Sequence, residues 1–224
     1  GYERTPGREM EEISFADGTV WSRDYIYHEF HNRSGTDGQD RLYSYDGDRV
    51  VFRGLAGNDS LEGSRYDDEL YGDDGEDTLV GGAGMDTLQG GAGDDSIDGG
   101  DGADLITGGA GNDRLWGGAD SDTYVFEPGH GNDYVDDYNG EADTFLLGYT
   151  RDSIIFSYED YYNMKIRYKN SKDSISVDSW KRDDGRYKIE TMKSSDGYSI
   201  SSTQIESLIQ AMSSFEKDSG MTWE

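Results

Sequence analysis

The sequence predicts an all-β fold: a solenoid of parallel β-helix coils, closed by a small β-rich C-terminal region that carries one amphipathic helix. Three observations predict it. Residues 54–125 divide without a gap into eight nonapeptides, each with aspartate at position 6 and an apolar or aromatic residue at position 8. Glycine, 32 of 224 residues, gathers in that stretch and marks turns too closely spaced for helices. From Asp143 onward glycine thins out and apolar residues alternate, the pattern of half-buried strands.

The nonapeptides begin at Gly54 with "GLAGNDSLE" and run through "GGAGMDTLQ" and "GGAGDDSID" to "GGADSDTYV". Position 6 holds Asp59, Asp68, Asp77, Asp86, Asp95, Asp104, Asp113 and Asp122; position 8 holds Leu61, Leu70, Leu79, Leu88, Ile97, Ile106, Leu115 and Tyr124. Six turn-prone residues followed by three extended ones make half a coil, so two nonapeptides complete a coil of eighteen residues. Successive coils then stack about 4.8 Å apart, with the position-8 side chains inside as a thin core. Worn repeats flank the array. "GTDGQDRLY" keeps Asp40 and Leu42, "SYDGDRVVF" has Arg49 where aspartate belongs, Arg53 is read as one extra residue, and "FEPGHGNDYV" supplies Asp133 after a two-residue insertion. The roll is therefore bounded at 35–136, between a flank at 1–34 and a capping region at 137–224.

Composition says what must hold such a fold together. Lys plus Arg number 20 against 48 Asp plus Glu, a net charge of −28, and only 33% of residues are hydrophobic. That balance disfavours nucleic acid and anionic membranes as partners and favours cations, although an acid excess alone also fits disorder or simple solubility. There is no cysteine, hence no disulfide framework and no thiolate metal site. No run of 18 apolar residues and no signal-peptide pattern is read along the chain, so any export is expected to use a pathway other than general secretion.

Eighteen residues is also the spacing of aspartates on one edge. Asp59, Asp77, Asp95 and Asp113 line one edge; Asp68, Asp86, Asp104 and Asp122 line the other. Unit charges at 4 Å interact by about 4 kcal/mol at an effective dielectric of 20, so the rows repel unless divalent cations lie between them. Glycines at positions 1, 2 and 4 permit positive φ and let backbone carbonyls point inward. An all-oxygen, flexible cage suits calcium better than magnesium, and with His28, His31 and His130 the only imidazoles, the chain argues against zinc or copper.

These residues resemble the repeats-in-toxin (RTX) proteins, whose nonapeptide is G-G-x-G-x-D-x-U-x with U a large apolar residue. "GGAGMDTLQ", "GGAGDDSID", "GGDGADLIT" and "GGAGNDRLW" fit every defined position. The resemblance implies a right-handed parallel β-roll with calcium between turns, held by the position-6 aspartates and by turn carbonyls such as those of Gly81, Ala83, Gly90, Ala92, Gly99, Asp101, Gly108 and Ala110. It implies six sites, joining Asp59 to Asp77, Asp77 to Asp95, Asp95 to Asp113, Asp68 to Asp86, Asp86 to Asp104 and Asp104 to Asp122. Asp40 and Asp133 add one each, making six to eight ions. Leu55, Ser64 and Asp73 replace the second glycine and Tyr66 and Asp120 the fourth, so those turns are expected to depart from the pattern.

In the capping region, Tyr162, Met164, Ile166 and Tyr168 share one face of "YYNMKIRYK", and "DSISVDSW" and "RYKIETM" read as further strands. "STQIESLIQAMSSF" reads as a helix over about 203–215, with Ile205, Leu208, Ile209, Met212 and Phe215 on one stripe and Thr203 and Glu206 as a capping box. The region is similar to the segment that follows RTX arrays, which by that likeness caps the roll and helps start its folding. Trp180, Tyr161 and Tyr162 are candidates for a carbohydrate platform, with core packing as the plainer reading. At the other end, "MEEISFADGTVWS" (10–22) parallels "IETMKSSDGYSIS" (189–201), which reads as the tail of a preceding module of the same kind.

No nucleophile or acid–base pair stands out, and the Asp-Pro bond at which some RTX proteins cleave themselves is missing, since Pro6 follows Thr5 and Pro128 follows Glu127. The chain is therefore expected not to be an enzyme. It reads as a monomeric, secreted or cell-surface module of a toxin-like or adhesin-like protein, exported unfolded by type I secretion machinery and folding when it meets calcium outside the cell. The alternatives are an accessory module of a secreted lipase, protease or epimerase, and an adhesin domain with a glycan or host-surface ligand.

Overall fold

Each nonapeptide of the array supplies one turn and one strand, and the strand is longer than three residues everywhere but at Ser60–Glu62. In the computed structural model, which describes residues 12–16, 18–22, 31–44, 48–137, 142–159, 163–178, 180 and 189–219, Thr87–Ala92, Ser96–Asp101 and Leu105–Ala110 are six-residue strands. Each covers positions 7 to 9 of one repeat and 1 to 3 of the next, leaving a three-residue turn. The first three positions are extended because they continue the ladder: Gly100 pairs with Gly82 and Asp101 with Ala83, in register with Ile97 on Leu79.

The strands form two nine-stranded sheets facing one another. One stacks Asn32–Ser34, Val51–Ala56, Glu69–Asp74, Thr87–Ala92, Leu105–Ala110, Thr123–Phe126, Thr144–Leu147 and Thr191–Ser194 in parallel, then Ser199–Ser201 antiparallel. The other stacks Arg41–Tyr43, Ser60–Glu62, Thr78–Ala83, Ser96–Asp101, Arg114–Ala119, Asn132–Val135 and Ser174–Val177 in parallel, then Met164–Tyr168 and Ile154–Tyr158 antiparallel. The result is a parallel β-solenoid of about six turns. The sheets run on past residue 137, so the capping region differs from the roll in its repeat chemistry rather than by a break in the ladders.

The core is a column one side chain wide. Leu61, Leu70, Leu79, Leu88, Ile97, Ile106, Leu115 and Tyr124 are all fully buried. At the C-terminal end the column widens into aromatics: Phe145 packs edge-on against Tyr124 and Phe126, and His130 against Phe126 and Tyr168. Met164, Ile166 and Tyr168 are buried on one face of their strand, as alternation predicts, while Tyr161 and Tyr162 lie outside the described residues. Trp180 is fully buried, which makes it a core residue and not a platform for sugar. "RYKIETM" corresponds to a strand at Thr191–Ser194, with 186–188 outside the described residues.

The helix spans Ser202–Ser219. Its capping box is made by Ser201 and Gln204 rather than Thr203 and Glu206: Ser201 N–H donates to Gln204 Oε1 at 2.9 Å, and Gln204 N–H donates to Ser201 Oγ at 3.3 Å. The strand ending at Ser201 runs directly into the helix and sets its start two residues earlier than the sequence motif. Ile205 and Ile209 are buried whereas Leu208 is 44% exposed, and the side chains of Met212 and Phe215 lie outside the described set.

One correction and one match concern the N-terminal part. Phe52 aligns with Leu70, which puts Val50, not Arg49, opposite Asp68. The extra residue therefore falls ahead of Val50, because Val50 N–H donates to Asp68 Oδ1 at 2.6 Å while Arg49 turns out to pair with Glu69. Ahead of the roll, Glu12–Ser14 and Val20–Ser22 form an antiparallel hairpin with Glu12 opposite Ser22 and Ser14 opposite Val20. The terminal hairpin has the same register, Thr191 opposite Ser201 and Lys193 opposite Ser199. Its turn is the same too: Phe15 N–H to Thr19 O (2.8 Å) matches Ser194 N–H to Tyr198 O (2.9 Å), and Gly18 and Gly197 both have positive φ.

Candidate calcium centre

The turn after each strand is short because glycine permits it. At position 2, Gly91 has φ +123°, and a Cβ there would run into the carbonyl of Asp73 one coil earlier; Gly100 stands in the same relation to Gly82. Leu55 and Asp73 at position 2, and Asp120 at position 4, keep positive φ without being glycine, at about 1–2 kcal/mol of backbone strain each. Ser64 and Tyr66 do not, and their turn differs from the others: Ser64 N–H donates to Asp68 Oδ2 at 2.6 Å.

The position-6 aspartates all point inward, and those from Asp59 to Asp122 are only 1–3% exposed. One oxygen of each is committed to the fold. Asp77 Oδ1 accepts the N–H of Asp59, Asp95 that of Asp77, Asp113 that of Asp95, Asp86 that of Asp68, Asp104 that of Asp86 and Asp122 that of Asp104, at 2.7–2.9 Å. Except in Asp68, the other oxygen has no donor among the described residues. Oδ2 of Asp59, Asp77, Asp86, Asp95, Asp104, Asp113 and Asp122 is buried and unpartnered, a costly state for a carboxylate away from water.

What faces that oxygen is a backbone carbonyl from the next coil, across a gap that a missing side chain leaves open. A Cβ built on Gly99 would sit 2.6 Å from Gly117 O and closer still to Asp104 Oδ2. The same cradle recurs at Gly72 between Asp77 Oδ2 and Gly90 O, at Gly81 between Asp86 Oδ2 and Gly99 O, and at Gly90 between Asp95 Oδ2 and Gly108 O. The position-1 carbonyls of Gly81, Gly90, Gly99 and Gly108 therefore each lie beside an expected carboxylate. Among the position-3 residues, the carbonyls of Ala92, Asp101 and Ala110 accept N–H groups from Gly75, Gly84 and Gly93 at 2.8–2.9 Å, which commits one lone pair of each; Ala83 pairs with Asp101 in the ladder. All the donors are hard oxygens, and the unpartnered anionic atoms fit a calcium-sized cation.

Electrostatics agree with this chemistry. Burial, opposed by the backbone N–H and reinforced by carboxylates of neighbouring coils, pushes Asp86, Asp95, Asp113 and Asp122 up to about 7 and Asp104 to about 8. Asp59, Asp68 and Asp77 move the same way for the same leading reason.

At three expected ligands the second oxygen already has a protein partner. Asp40 Oδ2 accepts from Thr36 N–H and, at 2.8 Å, from Thr36 Oγ1; Asp68 Oδ2 accepts from Ser64; and Asp133 Oδ2 meets the buried His130 Nδ1 at 2.6 Å. His130 is thus a core residue that ends one row. Two further carboxylates escape sequence reasoning. Asp143 Oδ1 accepts Asp122 N–H at 2.8 Å and so continues the second row after 21 residues; its signal was the "ADTF" that echoes "SDTY". Asp137, buried against the Asp143 carboxylate and the Gly118 backbone, is raised by burial and by the adjacent Asp143 charge, and nothing in the repeat pattern marks it.

The model of the RTX calcium-binding nonapeptide repeat matches the chain in four copies, at residues 53–88, 80–115, 89–124 and 99–133. No curated protein matches the chain.

Proposed function

We propose that this chain, whose residues 53–133 match the RTX calcium-binding nonapeptide repeat and coil as a parallel β-solenoid, is a calcium-gated folding module of a secreted, toxin-like or adhesin-like protein. The observation that carries this reading is the pair of buried rows of carboxylate oxygens with no donor among the described residues, those of Asp59, Asp77, Asp86, Asp95 and Asp104 each beside a backbone carbonyl. Metal-free, the rows oppose folding by desolvation and like-charge repulsion. Calcium supplies the missing counter-charge and ligand bonds, so that binding free energy becomes folding free energy.

Asp59, Asp77, Asp86, Asp95, Asp104, Asp113 and Asp122 are the anionic ligands in this reading, with position-1 carbonyls as neutral ones. Extracellular-type sites bind at about 10⁻⁴ to 10⁻³ M, so the chain stays open in a low-calcium cytosol, passes a type I exporter unfolded and closes outside. The module does no catalysis of its own. The matched hairpins at 12–22 and 191–201 support its being one unit of a tandem series. Limited proteolysis tests the gate: residues 54–136 are expected to be cut in chelator and protected in millimolar calcium, and equal protection in both would contradict it.

A further inference from the structure

The two carboxylate rows end in opposite ways. The row through Asp113 ends at Asp133, whose Oδ1 accepts Asp113 N–H at 3.0 Å and whose Oδ2 is taken by His130. The row through Asp122 ends in more acid. One carboxylate oxygen from each of Asp122, Asp137 and Asp143 lies within 4.8 Å of the others, all three side chains are buried, and none of them forms an ion pair among the described residues.

The neutral ligand changes here as well. From Gly54 to Gly99, the cradle of each position-1 glycine is bounded by a carbonyl of the next coil. At Gly117 it is bounded by Asp122 Oδ2 and, 2.5 Å from the site of an added Cβ, by the hydroxyl of Tyr124. That hydroxyl is fully buried and has no hydrogen-bond partner. A phenol oxygen thus stands where the repeats present a peptide oxygen, and it is aimed into the acidic cluster.

We propose that Asp122, Asp137 and Asp143, with the Tyr124 hydroxyl, form a terminal calcium site distinct from the repeat sites. It rests on the calcium reading of the roll but has its own ligand set. Three carboxylates give it a greater ligand charge than a repeat site, and calcium affinity rises with that charge. The site therefore fills at a lower calcium concentration than the roll. It also fastens the junction, because Asp143 N–H donates to Glu190 Oε2 at 2.8 Å and Asp143 O accepts Thr191 N–H at 3.1 Å, linking three consecutive strands of one sheet.

Anomalous diffraction from crystals of the full chain grown with a lanthanide tests this without any substitution. A peak is expected in contact with oxygens of Asp122, Asp137 and Asp143; peaks along the repeats with none at this cluster would overturn the site and leave the roll's reading intact. No ion anywhere would overturn both. In calcium titrations, Asp137→Asn is expected to lower the ion count by one and abolish the tightest-binding phase while the chain still folds at higher calcium. An Asp137→Asn chain that keeps both would show the cluster to be a proton-sharing carboxyl pair instead.

Discussion

Asp104 Oδ1 accepts the backbone N–H of Asp86 at 2.8 Å, while Asp104 Oδ2, 18 residues further along the same edge, accepts nothing. One carboxylate both ties two coils together and leaves an uncompensated charge between them. Asp104→Asn separates the two roles. The amide keeps an oxygen for the Asp86 N–H and removes the charge, so the metal-free fold is expected to gain stability while the calcium midpoint rises about tenfold, the equivalent of ~1.4 kcal/mol. The β signal in chelator and its rise in a calcium titration measure both.

Gly90 and Gly91 are adjacent and are predicted to fail differently. Gly90→Ala places a methyl between Asp95 Oδ2 and Gly108 O without demanding positive φ, so the chain should bind one ion fewer by elemental analysis. Gly91→Ala forces a side chain to φ +123° and against the Asp73 carbonyl, so it should destabilise the fold by more than the ~1 kcal/mol of a backbone mismatch alone.

The pH dependence has a definite sign. Asp86, Asp95, Asp113 and Asp122 rise from an ordinary 3.8 to about 7 and Asp104 to about 8, so the folded metal-free chain holds protons that the unfolded chain has lost. Their contribution is fully present below about pH 4 and is lost as pH rises through 7 to 8. The β signal in chelator should therefore be greatest near pH 4 and fade toward pH 8. Calcium must displace those protons, so its affinity should rise over the same interval. A β signal in chelator that climbs with pH would contradict the assignment.

The roll was legible because its chemistry is local: a nine-residue period fixes the turn, the inward aspartate and the single core residue together. What the period does not encode was missed. Val50 rather than Arg49 faces Asp68 because the ladder register is set across coils. The Ser64 bond to Asp68 arises from a turn without its glycines. Asp137 joins Asp122 and Asp143 only through the fold, at sequence separations no motif specifies. The capping strands were visible by alternation, but the helix start was set by Ser201 and Gln204, at the end of the strand before it.

The cap is expected to act early in folding. Trp180→Ala, at a fully buried site, should cost about 3–5 kcal/mol and slow calcium-triggered folding. Phe52→Ala, equally buried at the far end of the column, should cost a similar amount but act mainly on the unfolding rate. Stopped-flow fluorescence after calcium addition separates the two. Equal slowing by both would argue against growth from the C-terminal end.

Circular dichroism of the full chain during a calcium titration from chelator shows whether calcium gates the fold. The expected result is a largely unordered spectrum at neutral pH without calcium and a cooperative rise of β signal in the sub-millimolar to millimolar range. A chain already folded in chelator, with a spectrum that calcium does not change, would contradict it.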